Sequence, residues 1–67
     1  MTSDLDIRRS AWLIIKRYGA EAAAFAAVRA DALLAEGDLE GAVIWKAIYK
    51  AIDALQAERP APGEKVN

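Results

Sequence analysis

The acidic residues near the middle of the chain come closest to a catalytic arrangement. Asp31 and Glu36 are five positions apart, and Asp38 and Glu40 are two positions apart. Paired carboxylates can act as general acid and general base, but Asp38 is equally suited to cap a helix whose first turn carries Glu40. The chain has no histidine and no cysteine, so the commonest general base and the usual nucleophile pairs are absent. We therefore expect no enzymatic activity.

Patterns that hold phosphate, cofactors or metals are also absent from the sequence. Residues 37–41 contain two glycines, and both charged residues in this segment are acidic. A phosphate loop needs free backbone amides and a lysine instead. The same segment lacks the alternating oxygen ligands of a calcium loop. We expect no cofactor, no metal and no small-molecule substrate.

Basic residues cluster in the first part of the chain, at Arg8, Arg9, Lys16 and Arg17. Such a cluster can contact the phosphates of a nucleic acid. The whole chain, however, has nine Lys and Arg against ten Asp and Glu, a net charge of −1, and lacks the positive surplus typical of nucleic-acid-binding proteins. A nucleic-acid-associated regulator that uses the basic face of helix 1 is therefore the alternative function rather than the preferred one.

The composition is that of an all-helical protein. Of its 67 residues, 55% are hydrophobic and 28% are charged, and sixteen are alanine, which is the best helix former and is depleted in strands. The spacing of apolar residues predicts helices at about residues 4–18, 20–36 and 38–58. Ser3 and Asp38 are the expected N-caps, and Gly19 and Gly37 are the expected helix ends.

These elements predict one domain with a tail. Residues 1–59 form a single helical domain, a three-helix bundle, in which the short connections make successive helices roughly antiparallel. Residues 60–67 contain two prolines and a glycine without periodicity, so we predict a disordered tail. A closed bundle and an open hairpin with one further helix both fit this pattern.

The sequence predicts a protein partner, most simply a second copy. Below about 70 to 80 residues a single core seldom contributes more than about 3 to 5 kcal/mol, and small proteins add disulfides, metals or association. Without cysteine, association remains. The second helix is apolar on nearly all sides, and its alanines allow close approach of another helix, so we predict a homodimer packed through helix 2 or through one side of helix 1. The predicted interface residues are Trp12, Leu13, Ala23, Ala27 and Ala30.

Two charged residues stand out in the alanine-rich second helix. Arg29 and Asp31 are candidates for specific polar contacts with a partner. The simpler explanation is that Arg29 pairs with Glu36 or Asp38 across the next turn and Asp31 pairs with a lysine. Such pairs would orient the helices and contribute little to stability.

The longest uninterrupted apolar stretch, residues 22–28, is far shorter than the roughly 20 residues that span a bilayer. The first residues are acidic where a signal peptide would be positively charged, and a small domain without disulfides suits a reducing compartment. We expect no membrane association and a cytoplasmic location.

One stretch of the sequence carries a family resemblance. Residues 29–48 fit the pattern R-A-D-x-L-L-x-x-G-D-x-x-G-A-x-x-W-x-x-I, and an Ile-Ile-Lys-Arg-Tyr-Gly helix end precedes it at residues 14–19. This resembles a family of short helical proteins found mostly in alphaproteobacteria, over about residues 11–55. No activity is assigned to that family, so the resemblance implies a helical fold and supplies no catalytic or binding residues.

Overall fold

A computed structural model describes residues 3–57. Its elements are α1 (Asp4–Tyr18), a 3-10 turn (Gly19–Glu21), α2 (Ala22–Ala35) and α3 (Leu39–Ala57). The all-helical prediction is confirmed for these residues, which contain no strand. The predicted tail, residues 60–67, and the predicted last residue of helix 3 lie outside the described part of the chain.

The predicted end of helix 1 is confirmed, because α1 ends at Tyr18 and Gly19 is its C-cap. Helix 2 was expected to begin near Ala20, but Gly19–Glu21 form a 3-10 turn that joins α1 directly to α2. The chain changes direction at Gly19, whose φ of 57° and ψ of −123° are open to glycine alone. Residues 36–38 separate α2 from α3.

Local capping fixes the start of α1. The Ser3 side chain accepts a hydrogen bond of 3.2 Å from the Asp6 backbone N–H, as predicted for an N-cap. Asp4 and Asp6 lie in the first turn, and Lys16 and Arg17 lie in the last. These charges complement the helix dipole at both ends.

The turn between α2 and α3 is also set by local signals. The Gly37 N–H donates to the Leu34 carbonyl at 3.0 Å, and the Asp38 N–H donates to the Leu33 carbonyl at 2.9 Å, which is the Schellman arrangement with Gly37 at a φ of 84°. The Asp38 carboxylate accepts a 2.9 Å hydrogen bond from the Gly41 N–H. Both the predicted helix end and the predicted cap are thus confirmed.

Helix α3 is the element on which the others pack. It packs extensively on α2 and less on α1, whereas α1 and α2 contact each other little. The buried cluster takes small residues from α1 and α2 and larger ones from α3, namely Ala11, Ala22, Ala26, Ile48 and Ile52. Ile52 is the largest fully buried side chain, so the core is narrow and depends on close approach at the alanines.

No helix in residues 3–57 has the length and the apolar character that a membrane crossing requires.

Candidate interaction surface

The predicted interface residues lie in three different environments. Trp12 and Leu13 are exposed on α1, Leu13 to 66%. Ala23 and Ala27 are half-buried on α2. Ala30 is only 7% exposed, so its methyl group is covered within this chain and offers no surface to a partner.

The outward side of α2 carries a stripe that the sequence analysis did not single out. Ala24, Val28, Asp31 and Ala35 are all exposed and follow one another at helical spacing along one side of the helix. Val28 is 67% exposed, and Asp31 is the only charged member. We call these four residues the α2 stripe.

Arg29 and Asp31 are both exposed. Within residues 3–57, neither takes part in the side-chain hydrogen bonds, which join Asp6 to Ser3, Gly41 to Asp38 and Gln56 to Gly19. The Asp38 carboxylate, which the sequence suggested as a partner of Arg29, caps α3. The contact of Arg29 and Asp31 with a partner stays a prediction.

The outward side of α1 combines cations with large apolar side chains. All four basic residues, Arg8, Arg9, Lys16 and Arg17, are exposed. Leu5, Trp12 and Leu13 are exposed between them. This side is therefore neither a purely polar surface nor a purely apolar one.

An open groove of about 520 Å³ lies where α1 approaches the start of α2. Its lining residues are Leu13, Ile14, Lys16, Arg17, Tyr18 and Phe25. The Tyr18 and Phe25 rings stack at 4.3 Å between centroids and 16° between planes. Phe25 also meets Trp45 of α3 edge-on at 5.8 Å, so the aromatic wall of the groove is anchored to the core.

The acidic residues considered for catalysis lie at the surface. Asp31, Glu36, Asp38 and Glu40 are all exposed, and the Asp38 carboxylate is engaged as a helix cap. Within the described range, no group of three or more His, Cys, Asp or Glu side chains is arranged to hold a metal ion.

No family model, no curated protein and no solved structure matches this chain. The resemblance to the alphaproteobacterial family therefore stays a prediction.

Proposed function

We propose that this chain is a non-enzymatic protein–protein interaction module that self-associates as a homodimer through the α2 stripe. The observation that carries the proposal is the exposure of Val28 at the centre of a helix face with one charged residue. A surface helix normally presents a polar face to water, and a face of this kind favours cover by another helix. Dimers with twofold symmetry are the commonest form of such cover.

The residues beside the stripe support helix packing. Ala24 and Ala35 lie along the stripe, and Ala27 and Ala23 flank it half-buried. Side chains of this size let two helices approach closely, so Val28 would gain contacts on several sides. Asp31 is the only charged group on the stripe, and its carboxylate must stay solvated or find a polar partner in the dimer.

The α1 side is less suited to self-association, although Trp12 and Leu13 are exposed there. In a symmetric dimer the same face meets itself, which would bring Arg8, Arg9 and Lys16 against their own copies. Like charges across an interface are unfavourable. We therefore infer that the dimer forms through α2 and leaves the outward side of α1 free.

We also infer that the domain is a three-helix bundle with α3 as its central helix, because α3 packs on both other helices. The absence of cysteine from the sequence supports a reducing location such as the cytoplasm.

Sedimentation equilibrium of the full chain tests the proposal, with one substitution made at two sites. Val28→Glu places a carboxylate on the α2 stripe, whereas Val43→Glu makes the same change on the outward side of α3, where Val43 is 66% exposed. We expect the wild type and Val43→Glu to be dimers and Val28→Glu to be a monomer. Circular dichroism would establish that all three remain helical.

Two results would count against self-association through α2. One is a monomeric wild type at all concentrations, and the other is a dimer that Val28→Glu leaves intact. Equal dissociation by both substitutions would mean that the added charge, rather than its position, weakens the assembly.

The alternative function, a nucleic-acid-associated regulator, is supported by the exposure of all four basic residues of α1. It predicts binding to a DNA or RNA duplex that weakens with salt and is lost in the Arg9→Glu, Lys16→Glu double variant. The interaction module predicts no such binding.

A further inference from the structure

The groove beside α1 has a lining that is mainly apolar. Ile14 and Phe25 are half-buried and form its deeper part, while the exposed side chains of Leu13 and Tyr18 stand at its edges. Phe25 stacks on Tyr18 and meets Trp45 edge-on, and the lining has this arrangement without a ligand. Preformed sites lose less conformational entropy on binding.

The charged residues that line this groove have one sign. Lys16 and Arg17 line it and are exposed, and no acidic residue is among its lining residues. Both cations complement the dipole at the end of α1. That role explains their place in the sequence, and it leaves their charged groups free to meet an anion at the groove.

We propose that this groove binds an acidic amphipathic peptide segment of another protein. A large apolar side chain of the segment occupies the space between Leu13 and Phe25, and flanking carboxylates pair with Lys16 and Arg17. Arginine suits this role because its guanidinium group can hold a carboxylate with two parallel hydrogen bonds. The carboxylates supply the charge that the groove lacks, and the apolar side chain covers its lining.

The shape of the site favours a peptide over other anionic partners. A flat bilayer surface would reach Leu13 at the edge of the groove and leave the half-buried Ile14 and Phe25 untouched. A nucleic acid would satisfy the cations but set its charged backbone against an apolar lining. A second copy of this chain bound there would be a head-to-tail contact, which extends into chains unless it closes into a ring.

This inference goes beyond the proposed self-association. The groove and the α2 stripe share no residue, so the two proposals can fail separately. Val28→Glu is expected to change the molar mass without changing peptide binding, and substitutions in the groove are expected to do the reverse.

A library of random linear peptides displayed on phage, selected against the full chain, provides the probe. We expect enriched peptides to carry Asp or Glu next to a large apolar residue. Synthetic fluorescein-labelled copies would then be titrated with the chain and followed by fluorescence anisotropy. The Lys16→Glu, Arg17→Glu double variant should bind them about tenfold more weakly or worse, because attraction becomes repulsion.

Two matched controls separate the groove from general surface effects. The Lys46→Glu, Lys50→Glu double variant makes the same charge change on the outward side of α3, where both lysines are exposed, and should bind as the wild type does. Leu13→Ala should weaken binding several-fold, whereas Leu39→Ala, at a similarly exposed leucine, should not.

The proposal is overturned if no peptide is enriched, if enriched peptides lack acidic residues, or if the groove variants bind as the wild type does. It is also overturned if the wild type binds phosphatidylserine vesicles or a DNA duplex instead of a peptide, and the Lys16→Glu, Arg17→Glu variant loses that binding. A change in molar mass caused by that variant would identify a second copy as the occupant, and would equally contradict a peptide site.

Discussion

The side-chain amide of Gln56 donates a 2.9 Å hydrogen bond to the backbone carbonyl of Gly19. This contact joins the last turn of α3 to the end of α1 across 37 positions of sequence. The same carbonyl also accepts from the Ala22 backbone N–H at the end of the 3-10 turn, so Gln56 is its second donor. Within residues 3–57, it is the only hydrogen bond that joins α3 to α1 or to the 3-10 turn that follows α1.

Removing this donor tests how far the contact holds α1 in place. Gln56→Met keeps the length of the side chain but cannot donate, so we expect the free energy of unfolding in urea to fall by about 0.5–1.5 kcal/mol. Gln56→Lys is the control, because it still donates and adds a cation at the end of α1, where the helix dipole favours it. Equal losses in both variants would show that amide packing, rather than the hydrogen bond, matters.

The conformation of Gly19 gives a second prediction. A Cβ atom at this position meets nothing within 4 Å, so the cost of Gly19→Ala comes from the backbone alone. With φ at 57° and ψ at −123°, that cost is about 1–3 kcal/mol, measured by urea unfolding. Gly37→Asn is the comparison, since asparagine tolerates the left-handed conformation at a helix end, and it should cost less. An unchanged stability in Gly19→Ala would mean that the turn relaxes to another geometry.

The caps and helix ends could be predicted from the sequence because each depends on neighbouring residues. Ser3, Asp38 and Gly37 act within one turn of their own position. The start of α2 was predicted less well. Ala20 and Glu21 are compatible with either an α-helix or a 3-10 turn, and the unusual ψ of Gly19 decides between them.

The candidate surfaces were harder to predict because α2 contains so much alanine. Its apolar residues surround the helix, so the sequence does not show which side faces α3. Packing buries Ala30, which the sequence placed in the interface, and exposes Val28, which it did not. The groove requires Phe25 to stack on Tyr18, a contact across the turn at Gly19 that periodicity within one helix does not reveal.

The capping carboxylate of Asp38 and the backbone of Gly41 form a coupled pair, which gives a third prediction. A Cβ atom at position 41 would lie 2.6 Å from Asp38 Oδ2, so Gly41→Ala displaces the carboxylate that its own N–H binds. Replacing a helical glycine by alanine normally stabilises by up to about 1 kcal/mol. We expect Gly41→Ala to give little of this stabilisation while Asp38 is present. The stabilisation should appear when Gly41→Ala is combined with Asp38→Ala.

A double-mutant cycle from urea unfolding measures this coupling, which should be about 0.5–1 kcal/mol. Asp38→Ala alone should cost about 1 kcal/mol through loss of the cap. Additive effects of the two substitutions would mean that the carboxylate finds another position at no cost.

The narrow core predicts that stability depends on assembly. Ile52 is the only large side chain among the fully buried residues of the described part of the chain, and α1 and α2 contribute mainly alanine to the core. If the α2 stripe closes a dimer, unfolding is linked to dissociation, and Tm rises with protein concentration by mass action. For a domain of this size, about 1 kcal/mol corresponds to about 4–8 °C, so a roughly tenfold rise in concentration should raise Tm by several degrees.

Thermal unfolding followed by circular dichroism checks this across a dilution series. The Val43→Glu variant should keep the dependence of Tm on concentration, and the Val28→Glu variant should lose it. A wild-type Tm that stays constant across the series would show that the narrow core is sufficient in the monomer, and that Val28 is exposed without serving as a dimer contact.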